Sequence, residues 1–387
     1  MNKYSTLTSG LIGQPMFDLL GKVFEKIEGG QKVYRFEIGD TTFEPYSNVV
    51  NATVKALKEG QTKYVQSSGM IELKDSIISR VSNEYGTAIK RENIAILPSN
   101  SVIDFAIRCL ADIGDNVLIP DPGFPTYHSV LSYLNIEERK YRLNSNTWSI
   151  DADEIENLVD HRTKLIVINS PSNPTGSIIR KDELYKILEI AKNNNIYVLS
   201  DEVYSSVVFN NDIFHSALEI EQNLNNILVL DGFSKGFNMS GWRLGYVIGN
   251  SELIRYISLM FETIYSCTPP FIQMAGVEAL SCDQSIVKAE IQKYRECRDY
   301  VVDRLKKIPN IKYTIPEGSH YIFIGIESTG IDDKVFCYKL LDEENVSVLP
   351  GSYFGSQGTN YIRLCFPRQR DELEEGLNRI ERFIKNI

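Results

Sequence analysis

Four short segments of this 387-residue chain place reactive side chains at the ends of apolar runs. The first is Asn169-Ser170-Pro171-Ser172-Asn173-Pro174-Thr175-Gly176, a turn by composition. Read blandly it is a rigid turn, yet Asn173, fixed between prolines, is also a well-positioned hydrogen-bond donor. The second is Leu199-Ser200-Asp201-Glu202-Val203-Tyr204, where Asp201 directly follows an apolar run. A carboxylate there is a helix N-cap, or it needs a partner to stay ionised. The third runs from Asp231 to Gly245 and sets Lys235 in a loop rich in glycine and other small residues. A lone lysine is usually a solvated charge, but beside low-dielectric walls its amine becomes a nucleophile for carbonyl carbon. The fourth, Tyr361-Ile362-Arg363-Leu364-Cys365-Phe366, buries an arginine in an apolar strand, which is costly unless an anion pairs with it.

The elements that must position these groups are legible around them. Ile94–Leu97, Val117–Ile119, Leu165–Ile168, Tyr197–Leu199, Ile227–Leu230 and Tyr246–Ile248 are short, mostly β-branched and bounded by turn residues. Buried parallel strands read this way. Helical patterns lie between several of them, such as Ile103–Leu110 and Lys181–Asn193. The alternation predicts an α/β fold with a mainly parallel sheet covered on both faces and ligands at the carboxyl ends of its strands. The last third reads as α+β: a helix from about 286 to 307, strands at Tyr321–Ile326, Val346–Leu349 and Tyr361–Cys365, and helices near 333–341 and 369–384. An early amphipathic stretch, Phe17–Ile27, precedes Gly39-Asp40-Thr41.

Composition narrows the function classes. Forty-one basic against fifty-one acidic residues leave a net charge of −10, which argues against nucleic acid or anionic membrane as the main partner. The N-terminal stretch Met1–Ser9 has no apolar signal-peptide core, and no apolar run is long enough to span a bilayer. Six scattered cysteines read as free thiols in a reducing, cytoplasmic compartment, and four distant histidines show no metal-ligand spacing. Neither a dinucleotide-binding G-x-G-x-x-G after a first strand nor a P-loop is present.

Taken together, the S-P-S-N-P-T-G turn, the S-D-E-V-Y strand end, the S-K-G-F-N-M-S-G-W-R-L-G loop and the late I-R-L strand resemble the aminotransferase class I/II family of fold-type I pyridoxal-phosphate enzymes. Tyr64 with Gly69 and Leu73, the Pro120–Pro125 turn and Pro350-Gly351-Ser352 extend the likeness over almost the whole chain. The resemblance, which is to the aspartate aminotransferase-like members, implies a three-layer large domain over 46–280. It also implies a smaller α+β domain made of 1–45 and 281–387. It implies pyridoxal 5′-phosphate as cofactor, Lys235 forming the Schiff base and moving the substrate proton, and Asp201 facing the pyridine nitrogen. Tyr204 and Asn173 would hydrogen-bond the ring oxygen, and Phe124 would stack on the ring. Ser99, Asn100, Ser234 and Arg243 would hold the phosphate, joined by Tyr64 from a second subunit of a homodimer. Arg363 would grip the substrate carboxylate in a two-pronged hydrogen bond, and Gly39 would let an N-terminal segment close over the substrate.

Three positions depart from the family's pattern: Pro98-Ser99-Asn100-Ser101 in the phosphate turn, Gly232 three residues before the lysine, and Ser319-His320-Tyr321. His320 reads as a partly buried packing histidine, with a substrate-facing role as the alternative. The implied activity is transfer of an amino group from an L-amino acid to a 2-oxo acid. A lyase, decarboxylase or cyclase on the same scaffold is the alternative, because all share one electron sink. A cofactor-sensing regulator is disfavoured, since the family pattern is reached by about Gly39, leaving no room for an N-terminal DNA-binding module. Asn100 stands where some aspartate-specific members carry lysine; Arg35 and Arg368 could supply a second cation, but surface roles are expected for both.

Overall fold

A computed structural model of the protein describes residues 4–209 and 214–387. Met1–Lys3, the start of the N-terminal stretch read above, lie outside the described residues. A seven-stranded sheet runs in the order Ile94–Ile96, Gly245–Gly249, Ile227–Gly232, Tyr197–Asp201, Thr163–Asn169, Asn116–Asp121, Glu137–Arg142. Gly245–Gly249 is antiparallel to both neighbours and the other pairs are parallel. The central strands are buried residue after residue, which is why they read as unbroken apolar runs rather than alternating ones. The edge strand Glu137–Arg142 is polar and buries only Tyr141.

Amphipathic helices cover the sheet. In Lys181–Asn193 the buried Leu184, Ile187, Leu188 and Ala191 recur at helical spacing, and Asp182 and Glu183 sit favourably in the first turn. The helix expected at Ile103 begins a turn earlier, spanning Ser99–Leu110 behind Pro98, because its polar first turn carries no apolar period. Asn169 and Asp201 are register partners on adjacent strands, so the turn after one strand and the carboxylate ending the next share one edge of the sheet.

A separate antiparallel sheet orders Leu349–Pro350, Tyr361–Cys365, Tyr321–Gly325 and Lys312–Tyr313. Helices Gln284–Leu305, Asp333–Glu344 and Arg370–Asn386 accompany it. Tyr34–Arg35 pairs in parallel with Val346–Ser347, tying the segment after helix Met16–Glu28 to this C-terminal part. No helix among the described residues is long and apolar enough to cross a membrane.

Candidate active site

The carboxyl ends of the parallel strands, the Asp231–Gly245 loop, the segment 37–40 and strand Tyr361–Cys365 converge on one cavity of about 350 Å³. That volume suits a small organic ligand. Lys235, Asp201, Tyr204 and Asn173 line it. So do Ser99, Asn100, Ser234 and Arg243 on one side, and Phe124, Gly39 and Arg363 on others. Eleven candidates scattered over some 325 residues of sequence thus share one space. Tyr64 does not: it stands 86% exposed, away from the cavity lining.

Asp201 ends its strand fully inside the protein. Burial pushes its carboxyl up to about 6, opposed by a hydrogen bond from the Tyr127 hydroxyl at 2.6 Å. Tyr127 is itself buried, which keeps its phenol protonated and therefore a donor. No cation among the described residues lies within ion-pair distance of Asp201. The other aspartate at a nearby strand end, Asp231, is different: it is paired with Arg80 at 3.3 Å, accepts from Tyr246 and Ser205, and does not line the cavity. Asp231 is therefore satisfied internally, whereas Asp201 lines the cavity with no cation paired to it among the described residues.

Lys235 Nζ donates to the Gly39 carbonyl and lies 5.7 Å from the centre of the Tyr204 ring. Tyr204 and Tyr321 share a hydroxyl–hydroxyl hydrogen bond of 2.6 Å. Arg363 is buried in its strand, with its guanidinium over the Tyr321 ring. Its Nη1 donates to Asn173 Oδ1 at 3.0 Å and its Nη2 to the Glu37 carbonyl at 2.6 Å, while Nε has no partner. With its oxygen accepting from Arg363, Asn173, which lines the cavity, has its amide NH2 left to donate. Asn169 supports this turn by accepting from the Asn173 backbone N–H and donating to the Asp201 carbonyl.

Two of the three departures fit each other sterically. A Cβ at Gly232 would lie 2.6 Å from Ser99 Oγ, and one at Gly245 would lie 2.2 Å from it. The Ser99 hydroxyl fills the space that a side chain at 232 would need. His320 is fully buried among Tyr204, Tyr294 and Tyr321, lies outside the cavity lining, and has no hydrogen-bond partner on either ring nitrogen. Burial, with Lys235 and Arg368 as secondary causes, holds it well below the usual imidazole range, so it is neutral.

The surface role expected of Arg368 is incorrect. Its side chain is buried, and its guanidinium donates to the carbonyls of Arg35, Ile38, Asp40 and Pro367. Arg35 is also not a free surface cation, being half-buried and paired with Glu37 at 2.8 Å. Tyr127 goes unmarked in the sequence, and Tyr321, noted there only as the start of a strand and within Ser319-His320-Tyr321, has no role assigned to it. Tyr127 stands three residues after Phe124 on helix Pro125–Leu134, a spacing that faces both toward the same strand ends.

The donor set asks for a ligand with three features: a cationic or proton-sharing ring atom for Asp201, an anion for Ser99 and Arg243, and an electrophilic carbon for Lys235. A second anion, a carboxylate, suits Arg363. Comparison with known proteins agrees in kind. Residues 31–380 match the aminotransferase class I and II family. The chain is 33% identical over 368 residues to an aspartate aminotransferase of Pyrococcus horikoshii, covering 94% of both chains. It is 34% identical over 367 residues to a (5-formylfuran-3-yl)methyl phosphate transaminase of Methanocaldococcus jannaschii, covering 93% of this chain and 94% of that one. The structure superposes on the aspartate aminotransferase of Thermotoga maritima with a TM-score of 0.92 at 31% identity, over 99% of this chain and 100% of that one.

Proposed function

This chain belongs to the aminotransferase class I and II family and is an aminotransferase, and from that premise we propose that it works with pyridoxal 5′-phosphate carried by Lys235. The donor set described above fits that group. When bound, the cofactor supplies a carbonyl that takes up the amino group and a protonated ring that draws electrons from the substrate Cα. The chain's own residues do the rest. Asp201 holds a proton at the ring nitrogen, and Tyr127 keeps the Asp201 carboxylate oriented. Tyr204 and Asn173 hydrogen-bond the ring oxygen, and Phe124 packs on the ring face. The helix starting at Ser99, with Asn100, Ser234 and Arg243, holds the phosphate. Lys235 Nζ would carry the proton at the substrate Cα. Arg363 orients the substrate by its carboxylate, and the segment around Gly39 excludes water from above.

The observation that carries this reading is the pair of buried opposite charges, Asp201 and Arg363, neither with an ion-pair partner among the described residues, on the walls of the cavity that also holds Lys235. Each is costly to the folded chain without a counterion, so each requires a ligand. Replacing Lys235 by alanine removes the nucleophile, and the expected outcome is loss of the cofactor's visible absorption band and of nearly all turnover. Full activity in Lys235→Ala would overturn the assignment.

The active unit is a homodimer in which Tyr64 reaches the phosphate of the second subunit. In support, Tyr64 projects from the surface, and Val50, Val54 and Leu57 expose one apolar face of helix Ser47–Lys58 beside it in sequence. Mixing Lys235→Ala with Tyr64→Phe chains should restore a fraction of the activity that neither has alone. The division into 46–280 and 1–45 with 281–387 agrees with the separate sheets and with the pairing of Tyr34–Arg35 to Val346–Ser347. Six unpaired cysteines suit a reducing, cytoplasmic setting.

A further inference from the structure

The end of the cavity that would receive the substrate side chain carries Met16, Phe17, Leu20, Ile38 and Leu349, and among the described residues this chain places no uncommitted cation there. Arg363 pairs across the sheet with Leu349. Met16, Phe17 and Leu20 of helix Met16–Glu28 line the same cavity, as do Ile38 and Leu349. Three cations line the space among the described residues, Lys235, Arg243 and Arg363, and each has a place in the reading above. Asn100, at the wall, is neutral.

The two other arginines near this end are both committed elsewhere. Arg35 is held by the Glu37 carboxylate, and Arg368 has its nitrogens on backbone carbonyls of segment 35–40 and Pro367. Neither lines the cavity. Of the acidic residues that line it, Asp201 is assigned to the cofactor above and Glu37 is paired with Arg35, which leaves the Asp40 carboxylate to disfavour a second substrate carboxylate. That carboxylate would be stripped of water against hydrocarbon with no counterion.

We propose that this aminotransferase takes amino donors with uncharged, apolar side chains, aliphatic or aromatic, in preference to dicarboxylic amino acids. The inference rests on Arg363 being the clamp for the α-carboxylate. With Arg363 so occupied, the donor's side chain lies against Leu349, Ile38 and the helix face, where burial of methylene groups favours it. An apolar pocket separates side chains that differ by one methylene by about 10–200-fold, and burying an unpaired carboxylate there costs at least as much, so a preference of about 100-fold is expected.

The test uses the cofactor-loaded enzyme in single-turnover mode, following the visible band with leucine, methionine and phenylalanine against aspartate and glutamate. The expected result is a rate constant per unit concentration about 100-fold higher for the apolar donors. Equal or better use of aspartate or glutamate, including through a cation brought in by a partner subunit, overturns the substrate class and leaves the aminotransferase intact. Loss of the amino group from no donor at all would instead overturn the reading of the site, and the inference with it. A second readout needs no turnover: calorimetric titration should show 4-methylpentanoate binding at least tenfold more tightly than succinate, and the reverse order refutes the proposal. Leu20→Lys, on the half-buried helix face, should narrow both ratios by raising dicarboxylate affinity; unchanged ratios would place the side chain elsewhere.

Discussion

The hydroxyl of Tyr127 is the group that keeps Asp201 usable as a carboxylate. Burial has already raised this acid from 3.8 to about 6, and the 2.6 Å bond from Tyr127 is the foremost influence holding it from rising further. A hydrogen bond to a charged group contributes about 1.5–3 kcal/mol, and one pKa unit corresponds to about 1.4 kcal/mol. Tyr127→Phe should therefore move Asp201 up by about one to two units, to around 7–8. The sign of the stability change follows from linkage. A folded-state acid with a raised pKa binds more protons than the unfolded chain between about 4 and 6, so its favourable contribution is present below about 4 and is lost as pH rises through 6. In the variant the loss continues to about pH 7–8. Urea unfolding of cofactor-free protein should show the two forms differing modestly at pH 5. By pH 8 the gap should widen by about 2 kcal/mol. Cofactor affinity at pH 7 should fall along with it. A gap that stays constant from pH 5 to pH 8 would refute the argument, because a lost phenol contact alone has no reason to titrate.

Arg363→Lys cannot make both bonds to Asn173 and Glu37 and present a fork to a carboxylate; KM should rise by about 10–100-fold for every donor with a smaller change in kcat, and unaltered KM values would move the clamp elsewhere. Gly232→Ala should cost about 1–3 kcal/mol through its contact with Ser99 Oγ, and Ser99→Gly in the same chain should recover much of that in a double-mutant cycle; strict additivity would show that the two do not share space. Arg368→Met strips the donors from the carbonyls of Arg35, Ile38 and Asp40, so amide exchange across 35–40 should accelerate by about tenfold or more; unchanged exchange would mean that the segment is held by other contacts.

Much of the architecture could be read before any coordinates because its signals are local. Strands buried on both faces leave continuous apolar runs, and helix Lys181–Asn193 has the boundaries its periodicity predicts. Glu137–Arg142 was not legible: as an edge strand burying one side chain, it has neither a run nor an alternation. Tyr127 carries no motif signal, since an aromatic on a helix reads as core until the carboxylate opposite it is known. Arg368 misled for the same reason. In Pro367-Arg368-Gln369-Arg370 it looks like one solvated charge among several, but a segment some 330 residues earlier in the chain wraps over it.

The sequence by itself determined the types of the reactive groups and their attachment to strand ends, because turn chemistry and hydrophobic period act over a few residues. Tertiary structure decided which groups meet. Tyr127 reaches Asp201 across 74 residues, and Arg363 reaches Asn173 across 190. It decided, too, that Asp231 is satisfied by Arg80 while Asp201 is not, and that Arg35 and Arg368 are already occupied. Burial and partner geometry set these outcomes, and both depend on how the whole chain packs rather than on any stretch of it.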